Sequence, residues 1–349
     1  MKVKREELLQ ALESVLPGIA PKEIVEQSSA FVFKGGRVLT YNDEVSCRCP
    51  SPFGKEITGA VRSERLLDVL RKLPDDEIDA EAKDGKLTLR GKGRRTWVIM
   101  EADITLPVDA VERPTEWRPL ADDFLEAVST VQRCAGTDES SFATVCVHLH
   151  PKWVEATDRF QLCRWRLKTG LEKPVLVRQS AIKHVTQLGM TEFAETEGWI
   201  HFRNGRGLEL ACRRYLEDYP DLSSYVKPGG ETTSLPKGMA EAAERAETFS
   251  AEDKDNNRVK VHIKAGRVTV TGEGVSGGYL ETKKTAYKGP ELVFWITPSI
   301  LADIVRKHNE CEVSDSLMRV NGGAYVYVAW LHKPEAAVGA SKEESANET

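Results

Sequence analysis

"VRSERLLDVLRKLPDDEIDAEAKDGKLTLRGKGRRTWVIMEA", residues 61–102, decides the fold. It opens as an amphipathic helix, with Leu66, Leu67, Leu70 and Leu73 at helical spacing, and continues into hairpin strands. The same order returns in "VRQSAIKHVTQLGMTEFAETEGWIHFRNGRGLELACRRYL" (177–216) and in "ITPSILADIVRKHNECEVSDSLMRVNGGAYVYVAWL" (296–331). With Arg62, Arg178 and Thr297 as equivalent starts, the copies lie 116 and then 119 residues apart. A repeat of that length is a domain, well beyond the ~20–50 residues of a solenoid unit.

A second kind of segment precedes each copy. "REELLQALESVL" (5–16) leads to "AFVFKGGRVLTYNDEVSCRC" (30–49), and "LADDFLEAVSTVQRCA" (120–135) leads to "ATVCVHLHPKWVEATDRFQLCRW" (143–165). "GMAEAAERAETFS" (238–250) leads to "RVKVHIKAGRVTVTGEG" (258–274). Each is a helix followed by strands alternating in twos around a Gly or Pro-Lys turn. The stretches 106–117 and 226–238 are Pro/Gly-bearing links without periodicity. Three domains follow, 1–115, 116–229 and 230–335, with a polar tail at 336–349 that is expected to be disordered. Each domain should pack its two helices on one side of antiparallel strands, an α+β layer arrangement.

Composition limits the function. The chain has 349 residues, 40% hydrophobic and 30% charged, as a globular protein of two or three domains has. It carries no apolar run of membrane-spanning length and no signal-peptide pattern, so a cytoplasmic location is expected. A formal charge of −5 argues against tight, static binding in a DNA groove. Seven cysteines form no paired framework; Cys47 and Cys49 on one strand, and His148 and His150 on another, read as structural, with no carboxylate partner evident for the histidines. There is no Gly-rich phosphate loop, Ser-His-Asp signal or HExxH. No catalytic residue, metal or cofactor is therefore expected. The Thr157-Asp158 pair reads as a turn fixed by side chain to backbone hydrogen bonds.

The three repeats together resemble the bacterial DNA sliding clamp, the β subunit of DNA polymerase III, over about residues 1–334. "RSERLLDVLRKLP" is similar to that family's second helix, "EATDRFQL" to its Thr-Asp pocket segment, "LEDYPDLSSYV" to the stretch closing its middle domain, and "GGAYVYVAWL" to its C-terminal strand. The resemblance implies the DNA clamp fold, with three similar domains per chain and a head-to-tail homodimeric ring of six domains. Such a ring encircles double-stranded DNA without sequence preference and tethers a replicative polymerase; it does no chemistry. It also reconciles the acidic net charge with a DNA partner, because a sliding ring needs only weak phosphate contacts.

The resemblance implies three sets of residues. Arg65, Arg71, Lys72, Arg178, Lys183, Arg306 and Lys307 would line the DNA path; in the second helices (62–72, 178–188, 297–307) Lys and Arg outnumber acids four to two, two to none and two to one. Val69, Leu73, Trp97 and Ile99 of one copy would meet Thr248 and Phe249 of the other. Thr157, Phe160, Gln161, Leu162, Pro220, Tyr225, Ile300, Ser316, Val326, Val328 and Trp330 would form an apolar groove for short hydrophobic peptides of the polymerase, the clamp loader and other proteins, with Leu162 and Trp330 as opposite walls. Where the family has Gly-His-Arg-Leu after Thr-Asp, this chain has Arg159, Phe160, Gln161 and Leu162, and Met-Pro-Met is replaced by Val328, Ala329 and Trp330. These departures suggest a bulkier groove and a divergent or phage-encoded member. The alternative is a clamp-like adaptor that binds proteins without encircling DNA; an enzyme on an unrelated α+β fold is the third reading.

Overall fold

A computed structural model describes residues 1–254 and 256–332; the tail at 336–349 lies outside them. Six α-helices are present among these residues: α1 (Arg5–Ser14), α2 (Ser63–Lys72), α3 (Phe124–Val131), α4 (Gln179–Gln187), α5 (Met239–Ser250) and α6 (Pro298–Lys307). They pack in consecutive pairs, α1 with α2, α3 with α4 and α5 with α6, as the repeat requires. Each second helix buries an apolar stripe: Leu66, Leu67 and Leu70 in α2, Ala181, Ile182 and Val185 in α4, and Ile300, Leu301 and Ile304 in α6. Local chemistry sets their ends. Pro74 keeps Leu73 extended and stops α2, and Pro298 starts α6 where no N–H is needed.

The chain divides into two compact units, Met1–Ala156 with Arg166–Tyr219, and Thr157–Trp165 with the chain from Pro220 onward. The first unit contains a 12-stranded antiparallel sheet in which Val45–Pro50 pairs with Glu209–Arg213, joining the strands of the first two repeats. In the second unit Gln161–Arg166 pairs with Tyr325–Trp330, followed in order by Leu317–Asn321, Glu310–Val313 and Glu231–Ser234. A four-stranded sheet completes it, in the order Gly277–Lys284, Arg267–Gly274, Val259–Lys264 and Leu292–Ile296. Helix α5 approaches this sheet closely because the residues in contact are small. A Cβ at Gly272 would lie 2.0 Å from the Ala246 carbonyl oxygen, and Ala242, Ala243 and Ala246 are buried beside it.

All seven cysteines are buried and none forms a disulfide, and burial pushes the Cys47 thiol up to about 12. The histidine pair corrects the sequence reading. His148 sits opposite Glu155 across the hairpin, Nδ1 to Oε1 2.8 Å, and Trp153 Nε1 donates to the same oxygen at 2.9 Å. Glu155 lies seven residues along the chain, so only the hairpin register reveals it. Among the described residues no three His, Cys, Asp or Glu side chains converge as a metal site would require, and no helix is long and apolar enough to cross a membrane.

Candidate functional site

The Thr157-Asp158 turn is built from its own side chains. Thr157 Oγ1 donates to the Gln161 carbonyl (2.7 Å), and Asp158 Oδ1 accepts from the N–H groups of Phe160 (2.8 Å) and Gln161 (2.9 Å). These bonds hold Arg159 at φ +77°, a left-handed conformation that favours glycine. The first repeat repeats the device. Asn42 Oδ1 accepts from the N–H groups of Glu44 and Val45, and Asp43 takes φ +76°.

The two turns differ in what stands beside them. At the first, Arg213 donates from Nη2 to Asp43 Oδ1 (2.5 Å) and lies over the Trp199 ring (4.7 Å), closing the sheet face with an ion pair. At the second, the residue in the position of Arg213 is Trp330, whose N–H donates to the Phe160 carbonyl (2.9 Å). Phe160 is half exposed, at 50% of its surface, and the Tyr225 ring lies 5.1 Å from Trp330. Only the second turn therefore presents an open aromatic mouth.

Cross-strand register places Leu162 opposite Val328 and Arg164 opposite Val326 on one sheet face. The link 220–226 crosses this face. Arg164 Nη1 donates to Ser223 Oγ (3.3 Å), Arg319 Nε donates to the Val226 carbonyl (3.1 Å), and Leu222 is buried. Five expected groove residues are out of reach. Leu162 is 0% exposed, and Thr157, Val326, Val328 and Ile300 are also buried. Ile300 lies in the core cluster of α5 and α6 together with Met318 and Ala329, which alternate away from the face that carries Leu162. The accessible residues of the expected groove are Phe160, Gln161, Pro220, Tyr225, Ser316 and Trp330. Sequence reading missed Arg164 and Arg319; the available signal was a charged residue at an inward position of an otherwise apolar strand. On the opposite face the Tyr327 hydroxyl donates to Gln161 Oε1 and steadies the turn.

The cationic residues also divide. Arg65, Arg71, Lys72, Arg306 and Lys307 are exposed on α2 and α6, and Lys183 is half-buried on α4. Arg71 pairs with Glu13 (2.9 Å) and Arg306 with Glu244. Arg178 is no free surface cation. Only 23% of its side chain is exposed, it contacts Glu139 (2.5 Å) and Glu44 (3.3 Å), and it lies over the Phe142 ring at 5.0 Å. Arg178→Glu is therefore expected to lower stability by about 1–3 kcal/mol by setting a third carboxylate beside Glu44 and Glu139, whereas Lys307→Glu should leave the melting temperature unchanged; thermal denaturation of the two variants checks this.

A third surface lies on the outer strand segment of the first repeat. Trp97 and Ile99 are 56% and 66% exposed, and with Val69 and Leu73 they line an open cavity of about 670 Å³ flanked by Arg65 and Lys72. Phe249 is half-buried, its ring within contact distance of a Cβ built at Gly277, while Thr248 beside it is exposed.

No family model matches the sequence, and no curated protein matches it significantly. Among solved structures the chain is similar to the DnaN sliding clamp, DNA polymerase III subunit beta, of Bartonella birtlesii bound to griselimycin (17% identity, 95% of this chain and 99% of that one, TM-score 0.84). It is similar to the DNA polymerase III beta chain of Streptococcus pneumoniae (18%, 95% and 99%, TM-score 0.82). The Bacillus subtilis DNA polymerase sliding clamp gives 15% identity over 95% and 98%, with a TM-score of 0.80. The chain has the α+β fold of the bacterial sliding clamps, with its helix-and-sheet domain repeated along the sequence.

Proposed function

We propose that this protein is a DNA sliding clamp: three domains per chain (1–115, 116–229 and 230–335), two chains closed head to tail, and duplex DNA encircled without sequence preference. The observation that carries the reading is a missing strand partner. The repeat pairs Val45–Pro50 with Glu209–Arg213, and Gln161–Arg166 with Tyr325–Trp330. The third repeat should pair its own outer strand, Gly277–Lys284, in the same way. That strand is an edge among the described residues. The counterpart of Glu209–Arg213 in the first repeat, Arg94–Glu101, meets Gly59–Arg62 only at Met100 and Glu101, which leaves Arg94–Ile99 open on that side. A long, exposed edge bearing Trp97 and Ile99 is a liability in a monomer. Pairing the third repeat of one copy with the first repeat of another removes both edges, and doing so twice closes a ring of six domains. Sedimentation equilibrium tests this directly. A mass of two 38.9 kDa chains supports closure, and a monomer at micromolar concentration contradicts it.

On this reading the second helices face the DNA, with Arg71, Lys183 and Lys307 as weak phosphate contacts and Arg65, Lys72 and Arg306 beside them. Arg178 keeps a structural task. Replacing Arg71, Lys183 and Lys307 with Glu should cut loading onto DNA and flatten its salt dependence while the dimer and its melting temperature persist. Unchanged association with DNA at low salt would remove these helices from the DNA path. Polymerase, clamp loader and other partners would dock a short hydrophobic peptide at the mouth formed by Phe160, Tyr225, Ser316 and Trp330, and the complex would work in the cytoplasm of a bacterium or a phage-infected cell.

A further inference from the structure

The four-stranded sheet of the second unit has one face on α5 and one face outward. Val259, Val261, Ile263, Val268 and Val270 point into the core, so Lys260, His262, Lys264, Thr269 and Thr271 alternate outward. Register then fixes three rows across the outer face. In the first, Lys264 stands opposite Arg267, and Arg267 opposite Lys284. In the second, Val293, His262, Thr269 and Thr282 follow one another, with the two threonine hydroxyls 3.0 Å apart. In the third stand Trp295, Lys260, Thr271 and Leu280.

The first row is unusual. Like charges placed directly opposite on adjacent strands are unfavourable, yet three cations occupy neighbouring strands in a protein whose formal charge is −5. Glu291 answers Lys264 (2.8 Å) and His262 (2.6 Å). No ion pair joins Arg267 or Lys284 to a carboxylate among the described residues. At the other end Leu280 is exposed and Lys260 lies 5.3 Å over the Trp295 ring, and Val293 is exposed in the row between. The first-row cations Arg267 and Lys284 and the third-row Leu280 are thus two rows apart, about 13 Å along the strands.

We propose that this face docks an acidic segment of a partner protein, with carboxylates on Arg267 and Lys284 and an apolar side chain about four residues away on Leu280. Charge complementarity selects an anionic partner. A single half-buried aromatic ring offers little base stacking, and the exposed aliphatic residues suit side chains better than a nucleic acid strand.

The probe is a fluorescein-labelled Glu-Glu-Glu-Ser-Ser-Leu-Leu peptide, titrated with the full-length protein and read by fluorescence anisotropy at low and at moderate salt. Binding should weaken at higher salt and weaken about tenfold or more when the glutamates become glutamines. Arg267→Glu with Lys284→Glu should lose it by at least the same factor, and Leu280→Ser by a smaller one. These side chains are exposed, so the variants should keep the parent melting temperature; Lys284→Gln alone, with an intermediate loss, serves as the mild version. Unchanged affinity in the double variant overturns the proposal. So does a labelled thymidine dodecamer that binds through Arg267 and Lys284 while the peptide does not.

Discussion

Trp97→Glu together with Ile99→Glu should convert the protein from dimer to monomer, raising the dimer dissociation constant thirtyfold or more. Both side chains are already exposed in the isolated chain, so the substitutions cost the monomer almost nothing. In the proposed ring each would be buried against the third repeat of the other copy, where a well-packed aromatic or aliphatic anchor commonly contributes ~2 kcal/mol or more. Phe249→Glu attacks the same contact from the other side but loses some monomer packing as well, because its ring is half-buried beside Gly277. The pair gives a clean comparison by light scattering and thermal melting. Monomer with an unchanged melting transition is the expected result for the Trp97 and Ile99 variant. A full dimer at micromolar concentration would move ring closure to another surface.

The second large effect concerns the aromatic mouth. If the mouth is the docking site, as proposed, Phe160→Ala with Trp330→Ala should weaken binding of a hydrophobic partner peptide by thirtyfold or more, about 2–4 kcal/mol, while the oligomeric state is kept. Leu162→Ala is the contrasting variant. Its side chain is fully buried opposite Val328, so it should lower stability by about 2–5 kcal/mol through the cavity it leaves. Peptide affinity that survives loss of Phe160 and Trp330 would rule out the mouth as the docking site.

The repeat was legible because it rests on periodicity, which needs no knowledge of the partner strands. Leu66, Leu67 and Leu70 marked their helix by spacing alone, and they are buried. Exposure of individual site residues was not legible. Leu162 alternates correctly for a groove, yet the link at 220–226 is bonded across its face through Ser223 and Val226, and links carry no period that would announce where they cross. Ile300 failed for a related reason, since a helix stripe faces its own sheet and α6 turns Ile300 into the shared core. Arg178 read as one more basic residue on a second helix. Its carboxylate partners, Glu44 and Glu139, are distant in sequence, and only the fold brings them within 3.3 Å. That the second copy of the turn is the open one came down to one position, Arg213 in one repeat and Trp330 in the next. An ion pair closes the first, and an aromatic ring leaves the second open.

Encirclement of DNA is tested more directly by topology than by affinity. The protein is loaded onto a nicked circular plasmid, the plasmid is cut once, and the protein retained on circular and on linear DNA is compared by gel filtration in moderate salt. A sliding ring stays on the circle and runs off the ends of the linear form. Equal retention on both, or release from both, would contradict a closed ring and leave a clamp-shaped adaptor in its place.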